Sequence, residues 1–197
     1  MKLGILNCGI GNSASLSHVL REAGLDHRIV SHSKEFNQIN TLIIPGVGSF
    51  DQCISNIKAL SFFNNIDQKV LDEEINVLGI CCGAQVMGVS SEEGTSHGFG
   101  WLPFQCKSFA SASLRTPHCG WNTVQSNLLP KNEYFYFTHS YYFSPLCDDL
   151  EIGSTSYGHV TFPSLIFKKN LCAVQFHPEK SHAHGTMIIK RILERWH

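Results

Sequence analysis

The sequence has almost no net charge. Lysine and arginine total 15 against 16 aspartate and glutamate, a formal charge of −1, and the two signs are interspersed. That excludes nucleic acid or an anionic membrane as the main target, while leaving room for a local basic patch or a small charged substrate. No segment approaches the apolar length of a membrane span. The opening "MKLGILNCGIGN" breaks at Asn7 and Gly9, too soon for the apolar core of a signal peptide. The expected location is the cytoplasm. None of the eight cysteines falls in a CxxC pair, so they are expected as thiols. Cys53, Cys106, Cys119, Cys147 and Cys172 are scattered and read as small half-buried hydrophobes. Of eleven histidines only His182 and His184 are close, and a lone HxH is a weak metal signal. No metal and no cofactor is expected. Linkers, repeats and low-complexity stretches are lacking too, so residues 1–197 are expected to form one domain.

The first half of the chain alternates between two periods. "LGILNC" (3–8), "HRIV" (27–30), "TLIIPG" (41–46) and "INVLGI" (75–80) are short apolar runs that read as buried strands. Between them, Leu16, Val19, Leu20 and Ala23 recur at helical spacing before Gly24, and residues 51–73 read as helix broken near Ser61–Asn65. Such alternation implies a parallel sheet covered on both faces, a three-layer α/β/α class. From about residue 98 to 176 the helical period disappears. "FGWLPFQ", "WNTVQ", "EYFYFTHSYYF", "HVTFPSLIF" and "LCAVQF" read as antiparallel strands, added to the same sheet or packed beside it. Ile188, Ile189, Ile192, Leu193 and Trp196 form the apolar stripe of a closing helix.

"GICCG" (79–83) follows a strand and precedes a predicted helix starting near Gly83. This G-x-C-x-G spacing is that of a nucleophile elbow, a turn too tight for a Cβ two residues before or after its centre. The centre is Cys81. The helix N-terminus beyond it is expected to favour thiolate, and the Cys82 N–H to face an oxyanion formed by attack. The plainer reading is a buried thiol in a glycine-rich turn, and Cys82 keeps that reading for its side chain. "FHPEKS" (176–181) offers partners. In extended geometry His177 and Glu179 share a face, so a carboxylate can hold the imidazole while its other nitrogen takes the thiol proton. "PGVG" (45–48) ends another parallel strand, where ligands bind in open α/β sheets. Its glycines let backbone N–H groups approach a carbonyl; a tight turn is the alternative. A phosphate loop is disfavoured by the missing lysine and spacing.

Together "GICCGAQ", "PGVG" and "FHPEKS" resemble the class I, triad-type glutamine amidotransferases, whose fold is flavodoxin-like. Within that family "GIGNSASL", "SSEEG", "PHCGWN" (117–122) and "THSYYF" (138–143) are similar to the glutaminase subunits of imidazole glycerol phosphate synthases, over almost the whole chain. The resemblance implies that Cys81 attacks the side-chain amide of L-glutamine, that His177 protonates the departing ammonia, and that the glutamyl thioester is hydrolysed. It places Gly46, Val47 and Gly48 with Cys82 around the oxyanion. It assigns Gln85, Glu93, His139, Ser140 and Tyr141 to glutamine binding. It implies a (β/α)8-barrel synthase partner that uses the ammonia to make imidazole glycerol phosphate and AICAR, with Arg115, Trp121, Asn122 and Lys180 at the interface. Asn7-Cys8 stands where the family has Asp-Tyr, Cys82 where it has a large aliphatic residue, and Ala84 where methionine is common. Two alternatives remain at this stage: the same chemistry feeding another synthase, such as one making amidino sugars, and a cysteine hydrolase or inert binding subunit of this fold.

Overall fold

The computed structural model describes residues 2–129 and 133–196. Met1, residues 130–132 and His197 of the expected single domain lie outside the described residues. In chain order the elements are β1 (Leu3–Leu6), α1 (Ser13–Glu22), β2 (His27–Val30), α2 (Ser33–Phe36), β3 (Thr41–Ile44), α3 (Phe50–Lys58), α4 (Phe63–Leu71), β4 (Asn76–Ile80) and α5 (Cys82–Gln85). There follow β5 (Ser90–Ser91), β6 (Phe104–Ser108), β7 (His118–Thr123), β8 (Tyr134–His139), β9 (Tyr141–Pro145), β10 (Glu151–Tyr157), β11 (Val160–Lys168), β12 (Leu171–Val174), a 3-10 turn (Pro178–Lys180) and α6 (His182–Arg195).

A seven-stranded sheet in the order β10-β11-β12-β4-β3-β1-β2 forms the middle layer. The five strands from β12 to β2 run parallel, and β10 and β11 extend the β12 edge antiparallel. Alternate side chains of each parallel strand enter different cores. Leu3 and Ile5 of β1 pack with Leu16, Val19, Leu20 of α1 and Ile188, Ile189, Ile192 of α6. Leu6 instead joins Leu42 and Ile44 of β3 with Cys53, Ile54, Ile57 of α3 and Ile66, Val70 of α4. Apolar residues on both faces explain why these strands read as unbroken hydrophobic runs. A three-stranded sheet (β5-β6-β9) and a two-stranded ribbon (β7-β8) complete the structure.

Three details differ from the sequence reading. "LCAVQF" is not an antiparallel addition: β12 pairs parallel with β4, Cys172 opposite Leu78 and Val174 opposite Ile80. "EYFYFTHSYYF" is two strands in different sheets, parted at Ser140. The helix expected from Gly83 is a single turn, Cys82–Gln85. Just beyond it the chain is held between close neighbours, since a Cβ on Gly88 would stand 2.5 Å from the Phe104 ring and 2.7 Å from its carbonyl.

Candidate active site

The site lies past the C-terminal ends of β3, β4 and β12, the usual ligand position in an open parallel sheet. At the end of β4 the chain turns at Cys81, whose φ of 52° and ψ of −115° put a non-glycine residue in a sparsely populated region. Such a conformation costs on the order of 1–3 kcal/mol and persists only where its surroundings enforce it. Two glycines let them do so. A Cβ on Gly79 would stand 2.5 Å from Met87 Sδ and 2.6 Å from Ala84 Cα, and one on Gly83 would stand 2.1 Å from the Ile44 carbonyl oxygen. The same approach explains Gly46: its Cβ would fall 2.0 Å from the Gly83 nitrogen. The loop after β3 is thus pressed onto the elbow. Val47 and Gly48 line the cleft beside Cys81 and Cys82, whereas Gly46 acts as the close-packed spacer behind them. Gly48, at φ +118°, adopts a conformation that L side chains rarely reach.

The single turn of α5 changes the electrostatic argument. A four-residue helix has no macrodipole to speak of, so the expected helix contribution to the thiolate is withdrawn. The charge partner of Cys81 is His177. The extended stretch expected over 177–179 is also revised, because Pro178–Lys180 is a 3-10 turn. That turn nonetheless brings His177 Nδ1 within 2.8 Å of Glu179 Oε1, with the two side chains 2% and 6% exposed. Ser181 clamps the bend: its hydroxyl donates to the His177 carbonyl at 2.7 Å and accepts the Tyr136 N–H at 3.0 Å. Burial alone would lower the His177 pKa, but its interactions with Cys81 and with the Glu179 carboxylate outweigh it and push it up to about 10. His177 Nε2 is buried without a well-aligned hydrogen bond, although Cys81 is among the groups that raise the ring's pKa; such bonds commonly tighten only around a bound substrate.

The cleft has a volume of about 400 Å³. Cys81, Cys82, Gln85, Glu93, His139, Ser140, Tyr141 and His177 all line it, so the sequence-derived nucleophile, base and glutamine-binding candidates converge; Glu179 stands behind His177. Glu93 Oε2 accepts the Phe50 N–H at 2.9 Å, tying the acidic loop to the first turn of α3. Burial pushes its carboxyl up, partly offset by that hydrogen bond. Asp51 pins the rest of the loop by accepting the N–H groups of Thr95 and Ser96 at 3.1 and 3.0 Å. Gln85 spends both amide hydrogens internally, on the Tyr141 carbonyl and Gln175 Oε1, each at 3.2 Å. Its carbonyl oxygen is the group left to turn toward a ligand.

Sequence reasoning missed Gln175, fully buried, whose Nε2 lies 3.8 Å from Cys81 Sγ. Its spacing was the available signal, two residues before His177 and just past the end of β12. Pro117, Thr138 and Lys180 also line the cleft. Of the interface candidates, Trp121 is 47% exposed and stacks on His182 with ring centroids 5.6 Å apart. Lys180 lies over the Tyr136 ring, 5.7 Å from its centroid. The Trp121 ring also meets Tyr136 edge-on, with centroids 6.1 Å apart. Arg115 is exposed in the segment before β7, and its carbonyl accepts from the Tyr157 hydroxyl at 3.0 Å. Asn122 is half-buried, with its amide engaged inside the protein. Among the described residues no cluster of three metal-ligating side chains occurs, and no helix is long and apolar enough to cross a membrane.

Known proteins show the same arrangement of sequence and fold. A family model described as glutamine amidotransferase class-I matches residues 4–196. The "Imidazole glycerol phosphate synthase subunit HisH" of Leptospira borgpetersenii is 35% identical over 201 residues, covering 95% of this chain and 97% of that protein. "Imidazole glycerol phosphate synthase subunit HisH 2" of Methanococcus maripaludis is 35% identical over 203 residues, covering 98% and 99%. A crystal structure of a glutamine amidotransferase superposes with a TM-score of 0.79 at 18% identity, covering 98% of this chain and 97% of that one. A chain in the structure of PurLQS from Thermotoga maritima gives 0.74 at 15% identity, covering 100% and 99%. These two support the fold; the sequence matches carry the family. With an elbow cysteine and a histidine on one cleft, a buried glutamate behind the histidine, and a family match spanning nearly the whole chain, the protein belongs to the class I glutamine amidotransferases.

Proposed function

We propose that the chain is the glutaminase subunit of an imidazole glycerol phosphate synthase, a single domain that hydrolyses L-glutamine and delivers ammonia to a (β/α)8-barrel synthase for histidine biosynthesis. The observation that carries the chemistry is the convergence of Cys81 and His177 on one cleft with Glu179 behind the ring. What favours this pathway over amidino-sugar synthesis is the name shared by the curated relatives, at 35% identity over nearly the full chain.

In this reading Cys81 Sγ attacks the glutamine Cδ. The developing oxyanion is met by N–H groups of Cys82 and the Val47–Gly48 segment. The imidazolium of His177 gives its proton to the departing nitrogen, so ammonia leaves and a glutamyl thioester remains. The ring, now neutral, takes a proton from water as water attacks the thioester, and glutamate leaves with Cys81 restored as thiolate beside imidazolium. Glu179 holds the ring through Nδ1 throughout. Glu93 suits the substrate ammonium by charge, and Gln85 with His139, Ser140 and Tyr141 forms the wall against its remaining polar groups. Trp121, Asn122, Lys180 and Arg115 are the proposed synthase contacts, and the chain acts without a cofactor.

The test measures glutamate release by the purified chain, alone and with the barrel subunit of the same organism. Slow hydrolysis alone, faster hydrolysis with the barrel subunit, and imidazole glycerol phosphate formed only from the pair support the reading. Stimulation by an amidino-sugar synthase instead would reassign the pathway and keep the chemistry. Absence of glutamate release under both conditions would sink the glutaminase reading.

A further inference from the structure

Through the cleft wall runs a chain of hydrogen bonds in which His118 and Gln175 have no part in the reaction as described. It begins at Asn122 on β7. Asn122 Nδ2 donates to the Ser156 carbonyl at 2.9 Å and Oδ1 accepts the Thr123 N–H at 2.8 Å. Backbone partners have fixed polarity, so they set which way the amide points. Its Nδ2 also faces His118 Nε2 at 3.1 Å, which makes that ring nitrogen the acceptor. The far end is fixed independently. His139 Nδ1 lies 2.7 Å from the Tyr141 carbonyl, which can only accept, so Nδ1 carries the proton. A neutral His139 then offers a bare Nε2, and His118 Nδ1 lies 2.9 Å from it. The two ends demand the same state: both rings neutral, both protonated on Nδ1. Burial agrees, lowering the His118 pKa to about 4 and, with His118 and His177 nearby, the His139 pKa to about 3.

From the Tyr141 carbonyl the chain continues on a second arm. That oxygen also accepts from Gln85 Nε2 at 3.2 Å, Gln85 Nε2 donates to Gln175 Oε1 at 3.2 Å, and Gln175 Nε2 points to Cys81 Sγ at 3.8 Å. We propose that His118 and Gln175 are positioning residues for the Cys81 site, joined through His139 and Gln85 in one hydrogen-bonded chain from Asn122 to the sulfur. The two arms have different consequences. The histidine arm fixes the Tyr141 carbonyl, which holds the Gln85 amide with its oxygen toward the cleft; it acts on substrate binding. The Gln175 arm presents an N–H to the reacting sulfur; it acts on the chemical step. These kinetic consequences rest on the glutaminase reading, while the chain of hydrogen bonds does not.

The experiment therefore has two independent parts. Proton–nitrogen correlation spectra of the histidine rings in the full chain at neutral pH are expected to show His118 and His139 both protonated on Nδ1 and bare on Nε2. A proton on Nε2 of either neutral ring overturns the chain, whatever the protein's activity. In glutaminase assays His118→Ala is expected to raise KM about tenfold, the worth of one buried hydrogen bond, with kcat changed less than about threefold. His118→Asn, which can return an N–H donor to His139, is expected to recover most of that loss. Gln175→Leu is expected to lower kcat about tenfold. A His118→Ala enzyme with unchanged KM, or a Gln175→Leu enzyme with unchanged kcat, refutes the positioning role. A wild-type protein that releases no glutamate overturns the glutaminase reading and with it the kinetic roles, and the ring spectra still judge the chain.

Discussion

Glu179→Gln removes one charge and almost no volume. Glu179 Oε1 stands 2.8 Å from His177 Nδ1, and the two side chains are 2% and 6% exposed. Water screens little at such a depth, so the charge-assisted bond is worth about 1.5–3 kcal/mol. If that stabilisation is expressed in the transition state, kcat/KM for glutamine falls by a factor of about 10 to 150. The glutamine oxygen can still accept the Nδ1–H and preserve the ring tautomer, which keeps the loss within that range. The other carboxylate oxygen, Oε2, has no partner among the described residues. In the variant an amide NH₂ takes its place and is buried without an acceptor. That penalty, about 1–3 kcal/mol, falls on folding stability and is read as a lower melting temperature. The pH profile supplies a sharper check. Burial opposes the charged His177 ring, and the Cys81 sulfur with Glu179 holds its pKa up at about 10. The imidazolium donates to the leaving nitrogen, so activity declines as pH rises through that value. Without the carboxylate the alkaline limb moves to lower pH, though not fully to the ordinary histidine value, because Cys81 remains. Initial rates of glutamate release from pH 6 to about 10.5, on both proteins, measure limb and magnitude together. A fall of less than about threefold with an unmoved limb refutes Glu179 as orienter of His177.

Gly46→Ala places a Cβ 2.0 Å from the Gly83 nitrogen. Backbone cannot swing aside as a side chain can, so the loop is expected to lift off the elbow, lowering glutaminase activity at least about 100-fold as oxyanion donors are lost; near-normal activity contradicts the packing argument. Cys81→Gly is expected to abolish activity yet raise the melting temperature by about 2–4 °C, since release of the φ 52° strain exceeds the extra freedom of glycine in the unfolded chain. An unchanged or lower melting temperature shows that the elbow stores no strain. Buried His118 and His139, with pKa values near 4 and 3, charge readily only when unfolded. Their folded pKa values lie below the ordinary 6.5, so the unfolded state binds more protons as pH falls through 6.5, and each ring then costs about 1.4 kcal/mol per pH unit. Stability from denaturant titration should decline from pH 6.5 toward 4.5, ahead of the carboxylates, and a flat profile there refutes neutral burial of the pair.

The parallel half of the fold was legible because its strands bury both faces and its helices repeat at their own period. Leu3, Ile5 and Leu6 read as one apolar run since they supply two cores. The antiparallel half was legible as strands but not as sheets. Nothing local in "THSYYF" shows that β8 ends at His139 and that Tyr141 starts a strand of another sheet; pairing partners are chosen by tertiary contacts. β12 was misread for the same reason, since its apolar residues would suit either direction. The elbow was readable because a tight turn leaves a glycine signature on both sides of its centre. The length of α5 was not, because the chain leaves the helix after Gln85 to pack Gly88 against Phe104, a contact 16 residues away in sequence. His177 and Glu179 were found from their spacing by an argument whose geometry proved to be a 3-10 turn. Extended or turned, residues two apart beside a proline can meet, so the pairing was more secure than the reason given for it. His118 escaped because a strand histidine announces nothing until its partner, 21 residues away, is in place; the spacing of Gln175 from His177 was visible, but its contact with Cys81, 94 residues away, was not.

The adjacent cysteines show how one turn divides two identical side chains between chemistry and packing. Cys81 is set at the cleft, in contact with Gln175 and coupled to His177. Cys82, one residue on, directs its side chain into the core that holds Cys8, Cys53, Leu42 and Ile44. Contact with Cys82, together with burial, pushes the Cys53 thiol well up, which keeps it protonated and unreactive. Cys8 and Cys82, two of the positions where the chain departs from its family's usual residues, therefore lie in one packing unit. A small side chain at 82 changes how that core is filled, while the backbone N–H of residue 82, the part offered to the oxyanion, is the same whatever the side chain. On the proposed mechanism the reaction uses the backbone there and leaves the side chain to the core. The same turn that sets Cys81 at the cleft thus turns its neighbour's side chain into the core.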